Sequence, residues 1–277
     1  MSINSILVAT DLSERSDRAL QRGFRLAAEL GTKVSVVSVV DDTAPEWMVA
    51  EFEEKTRKLL EAAVSAIGTG VENEIIVKRG DPISQLIEIV NAGDCDLVVV
   101  GKHRARGLFD GLRPTTVESV VSRSLKPVLL VVEPAHGPYG RVLAPVSFSP
   151  ACYQAVEKAL CLAPEAAFRM YHAWFAPFEG LTGGRVSNFA RAVERETAAQ
   201  AVSWAEKLPA SLEKVVLLHE RVGESLSREM RSFSPDLLAV GANTRGVSFT
   251  GLGSFTASIV RDPPTDILIA RGAEMQG

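Results

Sequence analysis

Short runs of aliphatic and β-branched residues alternate along this chain with longer stretches in which apolar residues recur every three or four positions. The short runs predict strands near residues 5–10, 33–40, 73–78, 96–101 and 127–132. In the longer stretches Leu20, Phe24 and Ala27 mark one helical face, and Leu59, Leu60, Ala63 and Ile67 mark another. Two further helices fit 83–92 and 115–124. The strand runs are apolar throughout rather than alternating. That is expected of parallel strands covered by helices on both faces, which have no solvent side. Strand and helix in turn make an α/β chain built of βαβ crossovers.

The pattern is written twice. Ile6 to Ser13 (ILVATDLS) is echoed by Val142 to Ser149 (VLAPVSFS), 136 residues on. Asp96 to Gly101 returns as Asp236 to Gly241, and Pro127 to Val131 corresponds to Asp266 to Ile269 with Val128 matching Ile267. Three matches in one order indicate a tandem duplication. Residues 133–139 carry two prolines and a glycine between the copies, so the expected domains are 1–134 and 139–277, each with five strands. A linker this short keeps the copies adjacent, and they are expected to pack as a pseudo-symmetric pair. In the second copy Ser149-Pro150 reads as a helix cap followed by proline at the first helical position, ahead of a helix through Ala155, Val156, Ala159 and Leu160.

Composition narrows the function classes. With 277 residues, 46% apolar and 23% charged, the chain is an ordinary globular sequence of two-domain length. A net charge of −4 disfavours a general nucleic-acid binder. No apolar stretch approaches the roughly 20 residues that span a bilayer, and the amino-terminal residues lack a signal peptide's basic and apolar regions. The expected location is cytoplasmic. Cys95, Cys152 and Cys161 have no metal-ligand spacing and read as reduced, mostly buried thiols. His103, His136, His172 and His219 are scattered, and there is no P-loop or nucleophile elbow, so no catalytic or metal-binding residue is assigned.

In parallel sheets of this kind ligands lie beyond the carboxyl ends of the strands. The informative loops follow the fourth strand of each copy: Gly101 to Glu118 and Gly241 to Thr256. Each runs from a strand ending in glycine, through a long loop, to a helix opening with Ser or Thr. Such a helix start offers N–H groups and a hydroxyl to an anion.

These motifs resemble the universal stress protein family, once per half over essentially the whole chain. The resemblance implies a Rossmann-like fold of the adenine nucleotide α-hydrolase type and a nucleotide loop G-x-x-G-(x9)-G-[ST]. It further implies that a β1 aspartate and the residue at the end of β2 hold the adenine and ribose side, while the loop glycines and Ser/Thr hold phosphate. Carried onto the first copy, Asp11 and Gly101 match, Val39 is the β2-end position, and Thr115 supplies the hydroxyl. Arg104 and Pro114 replace the second and third glycines. In the second copy Gly241, Gly253 and Ser254 match with the loop one residue shorter. Thr244 replaces the second glycine, Ser147 replaces the aspartate, and the bulky Trp174 and Phe175 follow Ala173.

Arg104 adds bulk where backbone would approach phosphate, and Pro114 removes an N–H donor. Lys102, Arg104 and Arg106 offer side-chain binding of phosphate instead, the alternative being a solvated basic loop. The second copy keeps the better backbone cradle and the first the better adenine side. The resemblance therefore implies a stress-response regulator that binds ATP, a related adenine nucleotide or another anion in at least one half, with no metal assigned. The expected partners are the other half of the same chain and a second copy in a homodimer, with no membrane and no specific nucleic acid. A degenerate interaction module of the same fold remains open as an alternative, as does a weak ATPase.

Overall fold

A computed structural model of the chain describes residues 2–102, 116–175, 188–210, 212–242 and 252–272. The first half contains β1 (Ser5–Ala9), α1 (Glu14–Leu30), β2 (Lys33–Val40), α2 (Glu46–Ile67), β3 (Asn73–Arg79), α3 (Pro82–Ala92), β4 (Leu97–Gly101), α4 (Thr116–Arg123) and β5 (Val128–Val131). The second contains β6 (Arg141–Pro145), α5 (Pro150–Leu162), β7 (Ala167–Trp174), α6 (Asn188–Ala205), β8 (Val216–His219), α7 (Val222–Phe233), β9 (Leu237–Ala242), α8 (Ser254–Arg261) and β10 (Asp266–Arg271).

Side-chain caps start three of these helices. Ser13 accepts from the Ser16 N–H at α1, Asp81 from the Ser84 N–H at α3, and Ser149 from the Cys152 N–H at α5, the last two with proline directly after the cap.

The strands form one sheet in the order β3-β2-β1-β4-β5-β10-β9-β6-β7-β8. Pairing is parallel throughout each half. It is antiparallel only at the junction, where Leu130, Leu129 and Val128 of β5 face Ile267, Leu268 and Ile269 of β10. The expected pair of five-stranded halves is thus a single ten-stranded sheet, with the fifth strands joined about a pseudo-twofold. Within each half the strand order reverses at one place, between β1 and β4 and between β6 and β9. These are the switch points where such sheets open a crevice.

Alternate residues of the central strands feed two cores. Ile6, Val8, Leu97, Leu129 and Leu268 pack with Phe24 of α1, Leu60 of α2 and Val156 of α5. Leu7, Val98, Leu130, Ile267 and Ile269 pack on the other face with Val90 of α3, Val120 of α4 and Ile259 of α8. Both cores run through the junction, so the halves share their apolar interior.

Two expectations need correction. The face assigned to α2 included Leu59, but Leu59 is exposed and the helix is anchored by Val49, Leu60 and Val64. Leu60 and Val64 stand one turn apart, whereas Leu59 is rotated about 100° from Leu60. The strand near 73–78 is not covered on both sides either. As an edge strand β3 fully buries only Val77.

Candidate functional site

Of the assigned residues that fall in described regions, Asp11, Gly101 and Gly241 lie at or just beyond the ends of β1, β4 and β9, Val39 and Ala173 near the ends of β2 and β7, and Gly253 and Ser254 at the start of α8. Asp11 lies two residues beyond β1 and is exposed. Its Oδ1 accepts from the Ser13 N–H at 3.0 Å. Partial burial pushes its carboxyl up, but hydrogen bonds from the Ser13 hydroxyl and N–H and from Ser16 outweigh this and hold it below the ordinary aspartate value. Behind it the turn is knitted by Thr10, whose hydroxyl donates to Ser16 Oγ at 2.9 Å and accepts from the Leu12 N–H at 3.1 Å. Val39 is the penultimate residue of β2, half-buried toward the α3 face.

Gly101 ends β4 against the first turns of α1. A β-carbon there would lie 2.7 Å from the Arg15 carbonyl oxygen and 3.1 Å from Ser16 Cα. Glycine at this position lets the strand end pass under α1, a packing role in addition to any part in an anion site. The next residue, Lys102, places Nζ 3.5 Å from Asp262 Oδ1 at the C-terminal end of α8. Arg104, Arg106 and Thr115, with the loop between β4 and α4, lie outside the described residues.

The second half repeats this construction. Gly241 in β9 backs onto α5, where an added β-carbon would sit 2.5 Å from the Cys152 N and 2.7 Å from the Ala151 carbonyl carbon. Its carbonyl oxygen accepts from the Thr256 hydroxyl of α8 at 3.4 Å. Gly241 therefore stands between the first turns of two helices, and the N–H-rich, electropositive ends of α5 and α8 converge on the end of β9. Gly253 caps α8 at φ 70°, a left-handed conformation that glycine adopts without strain. Ser254 opens the helix and is exposed. Thr244 lies outside the described residues.

Where Asp11 stands in the first half, Ser147 offers a hydroxyl 3.3 Å from Ser149 Oγ and 3.4 Å from Cys152 Sγ. Burial of this corner is aromatic. Ala173 occupies the position of Val39, half-buried toward the same face. Trp174 is only 9% exposed and stacks on His219 with ring centroids 4.2 Å apart and planes 7° apart, while Phe175 is 59% exposed. His172 lies 4.4 Å from the Phe148 ring, and its Nδ1–H donates to the Val146 carbonyl at 2.7 Å. Burial lowers the His172 pKa below the ordinary histidine value, against that hydrogen bond.

The sequence reads Cys152 as a buried thiol and His219 as a scattered histidine, and assigns neither of them nor Thr256 to the site. Their roles depend on contacts between elements, although Thr256, two residues after Ser254, lay at the end of the loop under scrutiny. Among the described residues no cluster of three or more His, Cys, Asp or Glu is placed to hold a metal ion, and no helix is long and apolar enough to cross a membrane.

Comparison with known proteins agrees with this duplicated fold. The model of the universal stress protein family matches twice, over residues 2–132 and 138–271. Universal stress protein YxiE of Bacillus subtilis (strain 168) is 27% identical over 145 residues, spanning 46% of this chain and 98% of the relative. The crystal structure of a universal stress protein from Archaeoglobus fulgidus superposes with a TM-score of 0.70 at 19% identity, covering 99% of this chain and 98% of that one. A protein of unknown function from Pseudomonas aeruginosa PAO1 superposes at 0.64 and 15% identity, covering 98% of this chain and 93% of its own.

Proposed function

Since the chain belongs to the universal stress protein family, present twice in tandem, we propose that it is a cytoplasmic stress-response regulator that holds ATP or a related adenine nucleotide in at least one half. The observation that carries this reading is the meeting of the first turns of α5 and α8 at Gly241, with Gly253 and Ser254 opening α8. Two helix amino termini meeting at one place favour a phosphate group by dipole and N–H donation together. The second half is accordingly the phosphate-binding half. In the first half Asp11, kept ionised by Ser13 and Ser16, supplies an acceptor for the amino or hydroxyl donors of a nucleoside.

The pairing of Trp174 with His219 favours a second reading, in which the base side of the second half is closed by its own side chains and that half takes an anion without a base. The test is mass spectrometry of small molecules released by denaturing the purified full-length chain, followed by titration with ATP, adenosine and inorganic triphosphate. An adenine nucleotide released or bound supports the first reading. Triphosphate binding as tightly as ATP supports the second. No release and no binding of any of the three would leave a fold used for protein contacts alone.

A further inference from the structure

The segment joining the halves is held along its length by one stripe of α1. Arg18 donates from Nη1 to the Val132 carbonyl at 2.6 Å, Arg22 from Nη1 to the Gly137 carbonyl at 2.7 Å, and Arg25 from Nη1 to the Ala135 carbonyl at 3.3 Å. The three arginines are spaced by four and three residues, which puts them on one helical face. Beneath them the Tyr139 ring lies under the Arg22 guanidinium, 4.2 Å from centroid to Cζ. The Tyr139 hydroxyl donates to Asp266 Oδ2 at 2.6 Å. Asp266 is fully buried, and its Oδ1 accepts from the Val132 and Glu133 N–H groups at 2.7 and 3.0 Å. Arg22 Nε lies 3.5 Å from Oδ2. One buried carboxylate of the last strand thus gathers the end of β5, the end of the linker and α1.

The stripe is not repeated. The equivalent positions of α5, 136 residues on, are Gln154, Lys158 and Cys161. The arginines therefore belong to the one connection between the halves and not to the repeat itself.

The β5–β10 pairing cannot by itself decide which chain supplies each half. Its three register pairs, the Arg261–Glu118 ion pair and the Lys102–Asp262 ion pair would form equally well if the second half came from another copy. What differs is the path of residues 133–139, which reach roughly 25 Å when extended and so could bridge to a neighbour. We infer that Arg22 and Arg25 form a clasp that keeps the linker folded between its own two halves, selecting the closed chain over a dimer in which two copies exchange their second halves. Such exchange makes no new interface, so modest contacts along the connecting segment decide the outcome.

The ion pair between Lys102 and Asp262 allows a direct count. Equal amounts of unlabelled and nitrogen-15 full-length chain are unfolded together, refolded and treated with a zero-length carbodiimide cross-linker. The Lys102–Asp262 peptide is then read by mass spectrometry for mixed isotopes. The wild-type protein is expected to give almost none. The Arg22→Gln/Arg25→Ala variant is expected to approach about half, the value for random exchange. Arg25→Ala alone, which leaves the buried network intact, should raise the mixed fraction at least severalfold and carries the test if the double variant does not fold. Wild-type chains that already mix, or folded variants that mix no more than wild type, would overturn the inference.

Discussion

Leu12 and Phe148, 136 residues apart, hold the same left-handed backbone, with φ 59° and 58°. Neither is glycine, and a bulky residue in that region stores about 1–3 kcal/mol of strain. In both halves this residue turns the chain from the first strand into the cap of the following helix. Their side chains differ in what they do: Leu12 is partly buried on the core, whereas Phe148 also packs against His172 and, at 6.1 Å, Trp204. Replacing each by glycine relieves the same strain but removes different packing. Leu12→Gly is expected to change stability by less than about 1 kcal/mol, and Phe148→Gly to cost about 2 kcal/mol or more. Urea unfolding of both variants checks this, and equal losses would mean that the ring adds nothing.

Gly101 and Gly241 each lack room for a single extra carbon. The neighbouring atoms are helix backbone, which cannot rotate away, so Gly101→Ala and Gly241→Ala should each destabilise by about 1–3 kcal/mol or more. Gly241→Ala should also weaken anion binding by displacing the first turn of α5. Chemical denaturation paired with triphosphate titration separates the two effects.

At Gly253 the constraint is conformational. With φ at 70° a β-branched residue is strained, so Gly253→Val should turn the first N–H groups of α8 away from their present direction. Affinity for ATP or triphosphate is expected to fall at least tenfold with α8 still helical. Calorimetric titration alongside circular dichroism reads both quantities, and unchanged affinity would remove Gly253 from the binding site.

His172 predicts a pH dependence. The Val146 carbonyl can only accept, so Nδ1 carries the proton in the neutral ring, and acid must charge Nε2 beside Phe148. Burial depresses the folded pKa, so the unfolded chain takes up the proton first. The contribution to stability is therefore complete above the unfolded histidine value of about 6.5 and is lost as pH falls through it toward the lower folded value. His172→Phe should be less stable at neutral pH, because the Val146 carbonyl loses its donor, and should show a flatter decline between about pH 7 and 5. Thermal melts across that range test the sign. A steeper decline in the variant would show that another group dominates.

Much of the fold was legible because the signals were local. Ser149-Pro150 starts α5 through hydrogen bonds between residues three apart, and the unbroken apolar runs of β1 and β4 announce burial on both faces. The error at Leu59 arose because adjacent apolar residues on a helix look alike in sequence although only one can face the sheet. For the candidate site, the repeat and the resemblance point to Asp11, Gly101, Gly241 and Gly253. The close approach that requires Gly241, the Thr256 hydroxyl bond and the closure of Trp174 on His219 were not legible, since each depends on which elements become neighbours.

The sequence alone determined that the chain is a duplicated α/β protein, that α5 begins at Ser149-Pro150, and that Gly101 and Gly241 stand at or next to the ends of their strands. Periodicity and capping act over a few residues, so they can be read from the order of side chains. Only the tertiary structure decided that the two sheets join through β5 and β10 into one, that the first turns of α5 and α8 meet at the same glycine, and that Arg22, Tyr139 and Asp266 meet under the linker. The strand junction and the Arg22–Tyr139–Asp266 contacts bring together residues more than a hundred positions apart, and α5 reaches Gly241 across about ninety. Such pairings are selected by the shared burial of whole faces, which no local stretch of sequence contains.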